Sequence, residues 1–322
     1  MKQNKILFFL FFLTCNLYAQ FNPNRCRDFY LDCINYYVDE NPKLADSLFN
    51  FVMDEKAIDT NFNSFSTMNV AKIKAALGDT SKTLFYIRKA VTQGYPVEWV
   101  SEKKFPMLKG KIKNLPLDSL SRYFFNIIDV KAYKAALELD NIFNFNVRIL
   151  YQDSSLVTKN QRLKIDSIRL EKLKIYIDKY GFPTDKQIGT MAVGNMIQYM
   201  EQLATTYTPA WNYTEKLYIE AFNKGKLAPL YYARLYDHRS VLLDEKGKYG
   251  TLYHKPRKGI RGNSPFESPL QNPEIVDRDR AELGLAPIYI LIYGLFSKDS
   301  KLPNGYLFDE LEFRKKIFIQ CK

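Results

Sequence analysis

Histidine is nearly absent: His238 and His254 are the only two in 322 residues, too few for a histidine-rich metal site. Cysteine is scarce as well. The four, Cys15, Cys26, Cys33 and Cys321, show none of the paired spacing of a zinc site, so no metal and no cofactor is expected. A G-x-x-x-x-G-K-[ST] loop, a dinucleotide G-x-G-x-x-G, a G-x-S-x-G elbow and an H-E-x-x-H helix are all missing. Those absences remove the common phosphate-loop, dinucleotide, serine-hydrolase and zinc-protease classes. The apolar run Ile6 to Leu13 is far short of the roughly 20 residues that span a bilayer.

That short run has another use. Lys2 and Lys5 precede it, and a polar segment ending Leu17-Tyr18-Ala19 follows with a small residue at the cleavage position. Residues 1–19 therefore read as an export signal, and the protein is expected to be periplasmic or secreted and not transmembrane after its removal. A lipoprotein anchored at Cys15 is the alternative. Phe12-Leu13-Thr14 argues against it, lacking the usual leucine three residues ahead of the cysteine and the small residue just before it. Export permits disulfides among Cys26, Cys33 and Cys321. Seven residues of helix rise about 10.5 Å, beyond the roughly 7 Å limit between bridged Cα atoms, so Cys26 and Cys33 pair only if their segment is not helical. Cys321 paired with either one competes with that arrangement.

Apolar residues make up 46% of the chain and aromatics 15%, ample material for a core. About 300 residues remain without the signal, near the length at which one core gives way to two units. The net charge is +12, of which the signal contributes two lysines. Outside the cytoplasm such charge favours an envelope protein, a peptide or a polyanion as partner over nucleic acid, and the basic residues are scattered, as on a solvated surface.

Periodicity points to helices throughout. A break at Asn41-Pro42 separates two of them. In the segment from Asn69 to Tyr95, Val70, Ile73, Ala76 and Leu77 precede Gly78-Asp79, and Leu84, Ile87, Ala90 and Val91 follow it before Gly94. This is a helical hairpin. Its small-residue pattern at Ala71, Thr83, Ala90 and Tyr95, with Pro96 one place late, resembles a single tetratricopeptide unit, which implies either a peptide-binding groove or a packing hairpin. One such unit cannot bury both faces and must pack on neighbouring helices.

Residues 152–161 are the most linker-like stretch, and a loop between helices is equally consistent with them. Beyond them, Leu170, Leu173, Ile177 and Tyr180 form a stripe ended by Gly181 and Pro183. Further stripes are Val193, Met196, Ile197, Met200, Ala204 and Tyr207, then Leu217, Tyr218, Ala221 and Phe222, then Tyr231, Leu235, His238 and Leu242. The expected fold is mainly α: a signal over 1–19, a tetratricopeptide-like helical region over 20–130, and an α-helical module with Gly- and Pro-rich loops over 131–322.

The fourth stripe places His238 on an apolar helix face, where it is an acid or base or a buried imidazole held by one hydrogen bond. His254 falls in a loop with Lys248, Lys255, Arg257, Lys258 and Arg261, the densest basic patch in the chain and a candidate anion site. Asp237, Asp244, Asp277 and Glu282 are further acidic groups available to a site formed in three dimensions.

The motifs YGFPT at 180–184, Gly189, DH at 237–238, YGT at 249–251 and VDRDRAELGLAP at 276–287 resemble an uncharacterised bacterial domain family, often exported, over roughly residues 135–295. Asp237 lies twelve residues before Tyr249, as the family's Asp-Arg lies before its Tyr-Gly-Thr. The resemblance implies a histidine near Leu203, an arginine at His238, and glutamines near Gly247 and at Leu252; all four are changed here. Gly181, Pro183, Gly189, Gly250, Gly284, Leu285 and Pro287, which shape backbone and packing, are kept. A member altered in this way is expected to keep the fold as a non-catalytic binding or interaction module, with Lys248, Tyr249, Thr251, Lys255, Arg257, Lys258, Arg261 and Arg280 as candidate binding residues. The alternative is a metal-independent hydrolase using Asp237, His238 and His254 around the Tyr249-Gly250-Thr251 turn.

Overall fold

The computed structural model describes residues 23–54, 63–139, 141, 158–243, 245–252, 270–290, 306, 309 and 313, and the protein is mainly α-helical. Among the described residues there is no strand, only an isolated bridge between Gly247 and Leu270. Helices α1 (Pro23–Glu40) and α2 (Pro42–Asp54) meet at Asn41. The Asn41 side chain accepts from Leu44 N at 3.1 Å, and Pro42 opens α2 where its missing N–H is not needed.

The expected hairpin is present as α3 (Ser64–Ala76) and α4 (Thr80–Thr92). Asn63 and Asp79 cap the two helices, accepting from Ser66 N at 2.8 Å and Lys82 N at 2.9 Å. Each apolar face of the hairpin finds a partner. Met68, Ala71, Ile87 and Ala90 pack with Phe105, Leu108 and Ile112 from the following segment, which holds three short 3-10 turns, Val97–Trp99, Pro106–Leu108 and Ile112–Asn114. Val70 and Ile73 face the other way and join the core of α1 and α2, where buried Lys74 pairs with Asp46.

The remaining helices are α5 (Leu117–Ile127), α6 (residues 130–139), α7 (Lys159–Tyr180), α8 (Asp185–Ile188), α9 (Thr190–Thr206), α10 (Thr208–Asn223), α11 (Pro229–Leu242) and α12 (Val276–Glu282). Helices α6, α7, α9, α10 and α11 enclose a second core around Leu173, Ile188, Met200, Leu203 and Tyr218. Of the linker-like stretch, residues 152–157 lie outside the described residues, and residues 158–161 open α7. Thr158 accepts from Gln161 N while the Gln161 side chain accepts from Thr158 N at 2.8 Å, a capping box that opens the helix inside that polar stretch. The Leu170 stripe ends as expected at Gly181, whose N–H reaches Ile177 O at 2.8 Å.

Two features tie the halves together across residue 130. Ala286, Ile290 and Phe313 enter the core of α1 and α2, with the Phe29 and Phe313 rings 6.1 Å apart. The ring of Phe124 of α5 lies against two glycines, Gly94 just after α4 and Gly189 just before α9. A Cβ on Gly94 would sit 2.8 Å from the Phe124 ring, and one on Gly189 would overlap that ring outright. Both glycines also have positive φ, 91° and 83°, so bare backbone is required twice over.

Cys26 and Cys33 both fall in α1, which rules out a bridge between them. Cys33 is a fully buried free thiol, so it is not bridged to Cys321 either. Burial, and secondarily the Asp32 carboxylate, pushes its pKa well above the ordinary thiol value, as for an inert core residue. Cys321, Cys15 and the signal segment lie outside the described residues. Among the described residues no helix is long and apolar enough to cross a membrane.

Candidate functional site

Helix α9 has two working faces. Met196, Ile197, Met200, Leu203 and Ala204 enter the core, while Gly194, Gln198, Glu201, Gln202 and Thr205 recur at helical spacing along another side. Helix α11 answers with Tyr231, Arg234 and His238, three and four residues apart. A cleft of about 570 Å³ lies between these two rows, and Thr251 and Leu252 contribute to its wall.

The two rows are joined by an ion pair. Arg234 Nε donates to Glu201 Oε1 at 3.0 Å and Nη2 donates to Oε2, the bidentate fork that a planar guanidinium forms with a carboxylate. The Glu201 side chain is only 5% exposed and that of Arg234 30%, so the cleft's two formal charges cancel beside one another. Burial raises the Glu201 pKa from 4.5 against the lowering influence of Arg234. His238 is half-buried, and burial, then Arg234, lowers its pKa from 6.5 against the raising effect of Asp237. It is neutral at pH 7, with one nitrogen to donate and one to accept.

A pH signature follows. As pH falls through 6.5 the unfolded chain protonates at position 238 before the folded one does. Stability associated with neutral His238 is full above that value and declines as pH drops toward the folded pKa. Glu201 acts in the opposite sense: its contribution is present below 4.5 and fades as pH rises through its raised folded value. Comparing wild type with His238→Gln removes everything the two proteins share. The expected result is a smaller loss of melting temperature for the variant between about pH 7.5 and 5.5; parallel curves would reject the assignment.

The segment carrying Thr251 is held from both sides. Asp237, 1% exposed, accepts from Lys248 N at 2.8 Å and Tyr249 N at 3.0 Å on one oxygen, and from Thr251 N at 2.8 Å and Thr251 Oγ1 at 2.7 Å on the other. Arg280, wholly buried, donates to Tyr249 O at 2.8 Å and Ala286 O at 2.6 Å. One buried charge thus takes the N–H groups of the turn, and another takes a carbonyl of the same turn and fastens it to the chain beyond α12. Close by, Asp277 accepts from Ile288 N at 2.8 Å and from the Tyr306 hydroxyl at 2.6 Å. The DH, YGT and DRDRAELGLAP motifs, scattered over fifty residues, form one buttress.

This arrangement redistributes the sequence candidates. His238 and Thr251 reach the cleft, whereas Asp237 has its carboxylate oxygens occupied by four donors and is not among the lining residues. Tyr249 and Arg280 are buried parts of the buttress, and Lys248 is half-buried, its Nζ 4.0 Å from the Asp279 carboxylate. His254, Lys255, Arg257, Lys258, Arg261 and Asp244 lie outside the described residues. Of the four positions where the resemblance implies other residues, His238 and Leu252 line the cleft, Leu203 is in the core, and Gly247 sits where a Cβ would lie 3.5 Å from the Asp237 carboxylate.

Sequence reasoning missed Gln198, Glu201, Gln202, Thr205 and Arg234. The available signal was the row of polar residues at helical spacing along an otherwise apolar α9. Among the described residues no group of His, Cys, Asp and Glu is placed to hold a metal ion. Comparison of the chain with known proteins found no matching family model, no matching characterised protein and no matching solved structure.

Proposed function

We propose that the protein is an exported, non-catalytic binding module, a diverged member of the uncharacterised domain family it resembles, with a tetratricopeptide-like hairpin supporting the C-terminal helices. The ligand seat is the cleft between α9 and α11. One observation carries this reading: the cleft's charges are neutralised internally, while neutral polar groups are left open. The side chains of Gln198, Gln202 and His238 make no hydrogen bond within the described residues, and Arg234 stacks on the Tyr231 ring at 5.3 Å. Primary amides pair with a peptide group through one donor and one acceptor at once. An extended peptide segment with uncharged polar side chains suits such a lining. The saturation of Asp237 weighs against the hydrolase alternative, since a carboxylate with four donors has little capacity left as an orienting base.

The test is thermal shift with blocked, uncharged Gln- and Asn-containing tetrapeptides. A probe present at a hundred times its dissociation constant adds about 2.7 kcal/mol of stability by mass action, several degrees of melting temperature. The Gln198→Ala/Gln202→Ala protein should lose that shift. A shift that survives the double substitution, or no shift with any probe, overturns the cleft assignment. Cleavage of a probe that disappears in His238→Gln would establish the hydrolase alternative in its place.

A further inference from the structure

A second concavity lies between α6 and α7, with a volume of about 680 Å³. Its chemistry differs from that of the cleft. Lys131 and Lys134 of α6 and Lys172 and Lys179 of α7 line it, against a single carboxylate, Glu138. All four lysines are exposed. Lys179 lies over the Tyr180 ring at 5.1 Å; the other three have no hydrogen-bond or ion-pair partner among the described residues. Two other helical lysines are paired, Lys174 with Glu171 and Lys224 with Glu220.

The apolar content of the groove is as informative as its charge. Ile168, Lys172, Ile175 and Lys179 follow one another at four, three and four residues along α7, a single outward stripe alternating apolar and basic groups. Ile175 is 66% exposed and Ile168 49%, while buried Tyr176 and Leu139 lie along the groove with Ile175. An isoleucine held in water among unpaired ammonium groups is an unfavourable arrangement in the free protein. It becomes favourable when a ligand brings carboxylates to the lysines and an apolar side chain to the isoleucine together.

We propose that the α6–α7 groove docks an acidic, amphipathic segment of a partner protein. The carboxylates of that segment meet Lys131, Lys134 and Lys172, and its apolar residue seats against Ile175. A polypeptide is favoured over an anionic membrane because lysines of two helices line the sides of one concavity, which a narrow segment can enter and a flat bilayer cannot. The site is separate from the cleft of α9 and α11 and shares no residue with it.

The test uses the full-length chain and a fluorescein-labelled Glu/Leu peptide with helical amphipathic spacing. A Glu/Ser peptide of equal charge serves as control, with vesicles of anionic phosphatidylglycerol alongside. Binding of the Glu/Leu peptide at low salt, weakening as salt is raised, is expected. Lys134→Glu/Lys172→Glu should weaken it at least about tenfold through like-charge juxtaposition. Ile175→Ser should weaken it several-fold while leaving the Glu/Ser control unchanged. These positions are exposed, so the variants should retain the wild-type melting temperature, which is checked in parallel. Equal binding by the charge-reversed protein, equal binding of the two peptides, or binding to the vesicles alone would each overturn the proposal.

Discussion

Replacing Asp237 by asparagine should cost about 4 kcal/mol of stability, an exceptional value for a change that removes no volume. The side chain receives two donors on each oxygen, Lys248 N and Tyr249 N on one, Thr251 N and Thr251 Oγ1 on the other. Whichever way an amide is turned, its NH2 faces two of those donors. The site is 1% exposed, so water cannot take over, and each unsatisfied buried donor costs about 1–3 kcal/mol. Urea unfolding at neutral pH measures the loss, and a deficit below about 1 kcal/mol would refute the buttress. Arg280→Met should be comparably severe, because it frees the Tyr249 and Ala286 carbonyls in a buried setting. The two substitutions should be non-additive, since they act on opposite sides of the same turn.

Gly189→Ala is the second large effect, again about 4 kcal/mol, from two sources. A residue with a Cβ at φ 83° and ψ 152° is strained by about 1–3 kcal/mol, and overlap with the Phe124 ring adds a similar overpacking cost. The sources separate by mutation. In a Phe124→Ala background the overlap is gone, so Gly189→Ala should cost only about 2 kcal/mol more. Gly94→Ala should behave in the same way, because its Cβ would meet the same ring at 2.8 Å. Equal costs in both backgrounds would show that Phe124 does not press on these glycines.

Legibility in the sequence followed the range of the interaction. The α3–α4 hairpin was readable because its signals are local: apolar residues at helical spacing, Gly78-Asp79 at the turn and Asp79 as cap. The α9 stripe from Val193 to Ala204 was readable for the same reason. The α11 stripe reads as one apolar face, but Leu235 enters the core, Tyr231 packs against it while also lining the cleft, and His238 lines the cleft with Arg234. The Thr158 capping box was hidden by its own composition, since the polar residues that start a helix are also those that make loops. The Glu201–Arg234 pair was invisible because 33 residues separate its members, and nothing near either one names the other. The role of Asp237 was half legible. Its twelve-residue spacing to the YGT turn marked a relation, but spacing cannot distinguish a carboxylate that does chemistry from one that holds backbone N–H groups.

The company kept by α1 and α2 has a consequence for how the protein comes into being. Their shared core takes in Ala286, Ile290 and Phe313, so these two helices are completed by residues far later in the sequence. On a nascent chain the apolar faces around Phe29, Ile34 and Leu48 stay uncovered on that side until Ala286, Ile290 and Phe313 have been made. Closure of this core therefore waits on contacts of long sequence separation, whereas the α3–α4 hairpin closes locally.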